Sequence, residues 1–115
     1  MNQPMSIACD LQAIPAAERG RYHALRDRIF QAASGITETA DGYALKLAGD
    51  RDMLAAVADW IALERLCCPF LRFDLAIDGA GPMRLSLGGP EGVKDLLRIE
   101  LGGPTLAADR LVRRP

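Results

Sequence analysis

Asp50–Ile77, "DRDMLAAVADWIALERLCCPFLRFDLAI", decides how this chain folds. Asp50 can cap a helix through its side chain, and Met53, Leu54, Val57, Trp60, Ile61 and Glu64 then recur at helical spacing. Pro69 has no N–H and cannot continue the helix, and it pushes Cys68 toward extended backbone. "FLRFDLAI" (70–77) then alternates, with Leu71, Phe73, Leu75 and Ile77 on one side and Arg72 and Asp74 on the other, the pattern of a half-buried strand. A helix over 50–68 followed at once by a strand over 70–77 sets the frame for everything else.

Before it, "ADGYALKLAG" (40–49) opens on the turn pair Asp41-Gly42. It reads as a strand with Tyr43, Leu45 and Leu47 inward and Lys46 outward. A strand–helix–strand run over 43–77 predicts a parallel crossover. After it, "DGAGP" (78–82) turns the chain and "MRLSL" (83–87) returns as a hairpin partner with Met83, Leu85 and Leu87 inward. "GGPEGVKDLLRIEL" (88–101) opens the last helix, with Pro90 and Glu91 suited to its start and Gly102 to its stop.

Farther back, "IPAAERGRYHALRDRIFQAASG" (14–35) reads as a first helix presenting Tyr22, Leu25, Ile29 and Ala33. "SIACDL" (6–11) reads as a first strand in which Cys9 faces the core. The expected order is β-α-β-α-β-β-α: an α+β two-layer sandwich, with three helices on one face of a small mixed four-stranded sheet. Its open face carries Lys46, Arg72, Asp74, Arg84 and Ser86, a surface for water or for a second copy of the chain.

Composition sets limits. The 115 residues suit one domain, with 1–5 and 104–115 as tails. Half are hydrophobic but only 5% aromatic, so aliphatic side chains must fill the core. A net charge of −1 gives no general attraction to nucleic acid or to an anionic membrane. The start "MNQPMSIACD" lacks the basic and apolar regions of a secretory leader, and no apolar run reaches the ~18 residues of a membrane span. The expected setting is the cytoplasm. The chain has three cysteines; an odd number cannot all pair internally, and free thiols are the default in a reducing compartment.

The chemistry centres on Cys67-Cys68-Pro69. On a helix, Glu64 lies one turn before both cysteines, at i+3 and i+4. It shares a stripe with Trp60 and Ile61; a carboxylate there either needs a partner, with Arg65, Arg72 or a bound ion as the candidates, or sits at the edge of the stripe and reaches water. A helix C-terminus and a neighbouring carboxylate both raise a thiol pKa, so the pair is not built as a free thiolate. A soft metal reverses that logic, because it deprotonates the thiols that bind it.

Neighbouring cysteines within a helix diverge by ~100°, but Cys68 leaves the helix before Pro69. Cys9, facing inward, would add a third sulfur. Three thiolates select a soft ion such as mercury, cadmium, lead, copper(I) or trivalent arsenic. The alternatives are a thiol redox or thiol-transfer enzyme, with Cys67 or Cys68 as nucleophile and Glu64 as proton acceptor, and an interaction module whose cysteines only pack.

"ERLCCPFLRF" (64–73), with "DGYALKL" (41–47) before it and "GPEGVKDLL" (89–97) after it, resembles a group of small bacterial proteins that share a Glu-Arg-x-Cys-Cys-Pro-Phe core. It is also similar to C-terminal extensions of some regulators of the mercury-resistance type. The resemblance covers most of residues 6–101. It implies a thiol site at Glu64, Cys67 and Cys68, with Cys9 as a further member. The chain has no helix–turn–helix, so the likeness carries no DNA-binding role. No organic cofactor is expected: "LGGPEG" (87–92) matches no phosphate loop. His23, the only histidine, is expected at the surface.

Overall fold

A computed structural model describes residues 9–101 and a two-residue strand at Leu111–Val112. Three helices, α1 (Arg19–Ala32), α2 (Arg51–Cys67) and α3 (Val93–Glu100), accompany strands β1 (Gly35–Glu38), β2 (Gly42–Leu47), β3 (Arg72–Ile77), β4 (Met83–Gly88) and β5 (Leu111–Val112). The sheet order is β3-β4-β2-β1-β5. β3, β4, β2 and β1 pair antiparallel, and β5 joins β1 in parallel, so the sheet is mixed. The α+β class stands as the sequence predicts.

Strand alternation puts Ile36, Tyr43, Leu45, Leu47, Met83, Leu85 and Leu87 on one buried face. The helices cover that face: α1 packs on α2, and α3 packs on β2 and β4. Lys46, Arg72, Asp74 and Arg84 stand exposed on the other side, with Ser86 half-buried. Arg72 there bridges Asp41 at 2.7 Å and Asp74 at 3.1 Å. The crossover β2–α2–β3 is parallel in direction, but β4 lies between its two strands. Gly42 is required at its place, because a Cβ there would collide with the carbonyl of Leu87 on β4. Gly79 has φ +57° in the β3–β4 turn, where glycine is unstrained.

Three expectations change. The strand expected at 6–11 falls partly outside the described residues. Within them, Cys9 and Asp10 are irregular and Leu11–Ala13 forms a 3-10 turn capped by Asp10, whose Oδ1 accepts the Gln12 N–H. The fourth antiparallel strand is instead β1, which pairs Ile36 with Leu45. Gly35, expected to stop the first helix, begins this strand, and Ala33 caps the helix.

The second change is the buried face of α2. It is Met53, Ala56, Val57, Trp60, Leu63, Glu64 and Cys67, whereas Leu54 is 39% exposed. The third is β3, an edge strand on which Leu75 and Ile77 are 36% and 42% exposed. Both residues extend past the cover that the helices provide.

Candidate thiol and metal centre

The site forms where α2 ends. Asp50 starts the helix by accepting the Met53 N–H at 3.2 Å, and seventeen residues carry it to Cys67. The Cys68 N–H still donates to the Glu64 carbonyl at 2.8 Å, but Cys68 has φ −130° and ψ 68°, outside the helix. The chain then turns through Pro69, and the Leu71 N–H donates to the Cys68 carbonyl at 3.1 Å. This exit swings Cys68 back toward Cys67, so adjacent thiols that would diverge on a helix lie 3.5 Å apart, sulfur to sulfur.

The segment before α1 closes the site. The Asp10 N–H donates to the Cys67 carbonyl at 2.9 Å, which satisfies a helix-end acceptor and holds Cys9 against Cys68. Cys9 and Cys68 form a disulfide across 59 residues of chain, with Cα atoms 4.9 Å apart. That corrects the expectation of three free thiols: Cys67 alone is free. The pairing depends on a contact between distant segments, which composition and compartment do not reveal.

Cys67 and Cys68 are 1% and 0% exposed, and Glu64 is 3% exposed. The partner of Glu64 is neither Arg65, which points to solvent, nor Arg72, which is tied to Asp41 and Asp74. It is Tyr22 of α1, whose hydroxyl donates to Glu64 Oε1 at 2.6 Å. The Cys67 Sγ lies 3.8 Å from that hydroxyl and 3.9 Å from Glu64 Oε1. The apolar position of Tyr22 was legible in the sequence, and a buried tyrosine hydroxyl needs a partner. That need was the signal that could have matched it to Glu64.

Electrostatics follow from burial. Loss of water is the main cause that pushes Glu64 up to about 7; the Tyr22 hydrogen bond opposes it. Burial, then the Glu64 carboxylate, pushes the Cys67 thiol up to about 11. Burial and Glu64 also raise the Tyr22 phenol well above its usual value. Cys67 and Tyr22 are therefore protonated donors at neutral pH, and Glu64 is poised near half-ionisation.

Because Glu64 rises from 4.5 to about 7 on folding, its effect on stability has a definite sign. Below pH 4.5 it is protonated in both states and costs nothing. As pH climbs toward 7 the unfolded chain loses this proton first, so stability falls; above about 7 the penalty is full. The expected loss is about 3 kcal/mol. Urea denaturation from pH 4.5 to 8 should show it, and Glu64→Gln should flatten that part of the profile. An equally steep profile in the variant would remove Glu64 as its source.

Beside the cluster, an ion pair joins α1 to α3. Arg26 of α1 binds Glu100 of α3, Nε to Oε1 at 3.1 Å, and donates to the Glu100 carbonyl at 2.6 Å. Glu100 Oε2 lies 4.0 Å from the Cys9 sulfur. His23 is exposed, as expected, and meets the Tyr22 ring edge-on at 5.1 Å. Arg26 and Glu100 carry no signal in the sequence, since nothing local links residues 74 apart.

One ligand atom from each of Cys9, Glu64, Cys67 and Cys68 lies within 4.8 Å of the other three. This group could hold a metal ion once the disulfide is open. Compared with protein-family models, with curated proteins and with solved structures, the chain shows no significant match.

Proposed function

We propose that the reduced protein binds a soft metal or metalloid ion through Cys9, Cys67 and Cys68, to buffer, deliver or sense it. Glu64 supplies an oxygen ligand or orients the sulfurs. The observation that carries this reading is the convergence of three sulfurs and one carboxylate within 4.8 Å. Donors bonded at ~2.3 Å to one tetrahedral ion sit roughly 3.5–4 Å from each other. The 3.5 Å between Cys67 and Cys68 already fits; Cys9 must part from Cys68, and the donors that lie up to 4.8 Å apart must draw in. Three sulfurs in four donors favour a soft ion over calcium or magnesium.

The raised Cys67 pKa supports binding over free-thiolate chemistry, because an ion removes the proton itself. The resemblance of residues 64–73 to extensions of mercury-resistance-type regulators points the same way. In a cytoplasmic setting, the disulfide would be the transient, ion-free state. A second reading, a thiol redox or transfer enzyme, is favoured by the free Cys67 sulfur 3.5 Å from a disulfide sulfur. Cys67 would be its nucleophile and Glu64 its proton acceptor.

The test uses protein reduced with a phosphine, freed of it, and titrated anaerobically with cadmium. A sulfur-to-metal charge-transfer band in the ultraviolet should saturate at one ion per chain, with protons released. At a thousandfold excess over Kd the ion should stabilise the fold by about 4 kcal/mol. Oxidised protein should show neither effect. Absence of the band in reduced protein, or equal binding by oxidised protein, would reject the ion site. Rapid alkylation of Cys67 near pH 6 without metal would favour the redox reading instead.

A further inference from the structure

Only one cysteine of the cluster reaches the outside. Cys68 and Cys67 are fully enclosed, whereas Cys9 is partly exposed. Cys9 stands in the wall of a cleft of about 240 Å³, lined also by Leu11, Tyr22, His23, Arg26 and Glu100. We propose that this cleft admits a small-molecule thiol, which opens the Cys9–Cys68 disulfide by attacking the sulfur of Cys9. The proposal shares its residues with the ion site but rests on the disulfide and the cleft, not on ion binding.

Thiol–disulfide exchange needs a thiolate to approach the attacked sulfur directly, so access decides which sulfur reacts. Attack on Cys68 would have to come through the core. Attack on Cys9 can come from the cleft. In the first step the thiolate RS⁻ bonds to Cys9 Sγ, the Cys9–Cys68 bond breaks, and Cys68 leaves as a thiolate. Cys67 stands 3.5 Å from that leaving sulfur, and its S–H can donate to it. In the second step another RS⁻ attacks the R sulfur of the mixed disulfide, giving RSSR and a Cys9 thiolate. The protons of two RSH end on Cys9 and Cys68. Two thiols are oxidised to one disulfide while the protein disulfide is reduced.

Charge and size narrow the class. The carboxylate of Glu100, 4.0 Å from Cys9, would repel a thiolate, but Arg26 binds it at 3.1 Å and offsets its charge. The cleft is smaller than the ~300 Å³ at which drug-sized pockets begin. A thiol of a few heavy atoms fits. A folded protein would have to bring its cysteine down to a sulfur lying beside the Tyr22 and Leu11 walls.

The test starts from oxidised wild-type protein and 2-mercaptoethanol. Samples are quenched in acid at short times, alkylated and mapped by mass spectrometry. The mercaptoethanol adduct should sit on Cys9 at least tenfold more often than on Cys68 or Cys67, and the opening rate should rise in proportion to thiol. A thioredoxin-type protein dithiol should react at least tenfold more slowly per thiolate. Leu11→Trp, which narrows the cleft, should slow 2-mercaptoethanol at least tenfold at unchanged Tm.

If that variant fails to fold, a series of wild-type reactions with progressively bulkier thiols reads the same constraint. An adduct mainly on Cys68 or Cys67 would overturn the proposal. So would a rate that saturates at that of global unfolding, or a faster reaction with the protein dithiol. Ion titration of phosphine-reduced protein bypasses this step, so failure of either experiment leaves the other intact.

Discussion

Cys67→Ser should weaken cadmium binding by the reduced protein roughly a hundred- to a thousandfold. Structural sites built from a few strong donors bind with on the order of 10–16 kcal/mol. Removing one of four donors therefore costs about 3–4 kcal/mol, and each 1.4 kcal/mol is a factor of ten. Serine preserves size but presents a hard oxygen to a soft ion. The sulfur it replaces is the buried centre of the cluster, 3.5 Å from Cys68 and 3.9 Å from Glu64.

Cys9→Ser should cost as much, and it separates a three-sulfur site from a pair. If Cys9→Ser binds like the wild type while Cys67→Ser does not, Cys9 serves only the disulfide. If neither change matters, ion binding is not the function of the cluster. Glu64→Gln should cost less, about ten- to a hundredfold, if the carboxylate orients the sulfurs rather than binding the ion. Competition with a chelator of known affinity measures all three.

How much of this was visible in the sequence varies by residue. The stripe that joins Glu64 to Cys67 follows from helical periodicity and the stop at Pro69, so that juxtaposition was legible; periodicity left open whether Glu64 is buried or reaches water, and the structure buries it. So were β2, β3 and β4, whose alternation is clear. β1 was not, because "GITE" holds one inward apolar residue, Ile36, in four. The alternation of residues 6–11 imitated a strand. In the structure, Asp10 caps a 3-10 turn and its N–H goes to the end of α2, not to a sheet partner.

Tyr22, Arg26 and Glu100 act across α1, α2 and α3, and pairings between helices have no local signature. Periodicity also placed Leu54 and Ile61 with the core. It could not show which flank of α2 is covered: Leu54 is exposed and Ile61 only partly buried.

That difference makes Trp60 the side chain on which helix packing should depend most. It is 1% exposed, and it stands edge-on to Phe30 of α1 at 5.7 Å and to Phe73 of β3 at 5.9 Å. Edge-to-face pairs at such distances add about 0.5–1.5 kcal/mol each to the burial itself. Trp60→Ala would open a large cavity and release both rings, so it should cost about 3–5 kcal/mol. That is a large fraction of the ~5–15 kcal/mol that holds a domain of this kind together.

Leu54→Ala, six residues earlier on the exposed side, should cost less than ~1 kcal/mol. Trp60→Phe separates the contributions of volume and polarity. Among the described residues the Trp60 Nε1–H is buried without a hydrogen-bond partner, and losing an unpaired donor recovers part of what the smaller ring gives up. Its cost should stay below ~2 kcal/mol. Phe30→Ala combined with Trp60→Ala should cost less than the sum of the two, because the first change already removes one of the contacts that the second would break. Urea denaturation of the five variants and the wild type measures this. A loss for Leu54→Ala equal to that for Trp60→Ala would mean that α2 meets the sheet through a different face.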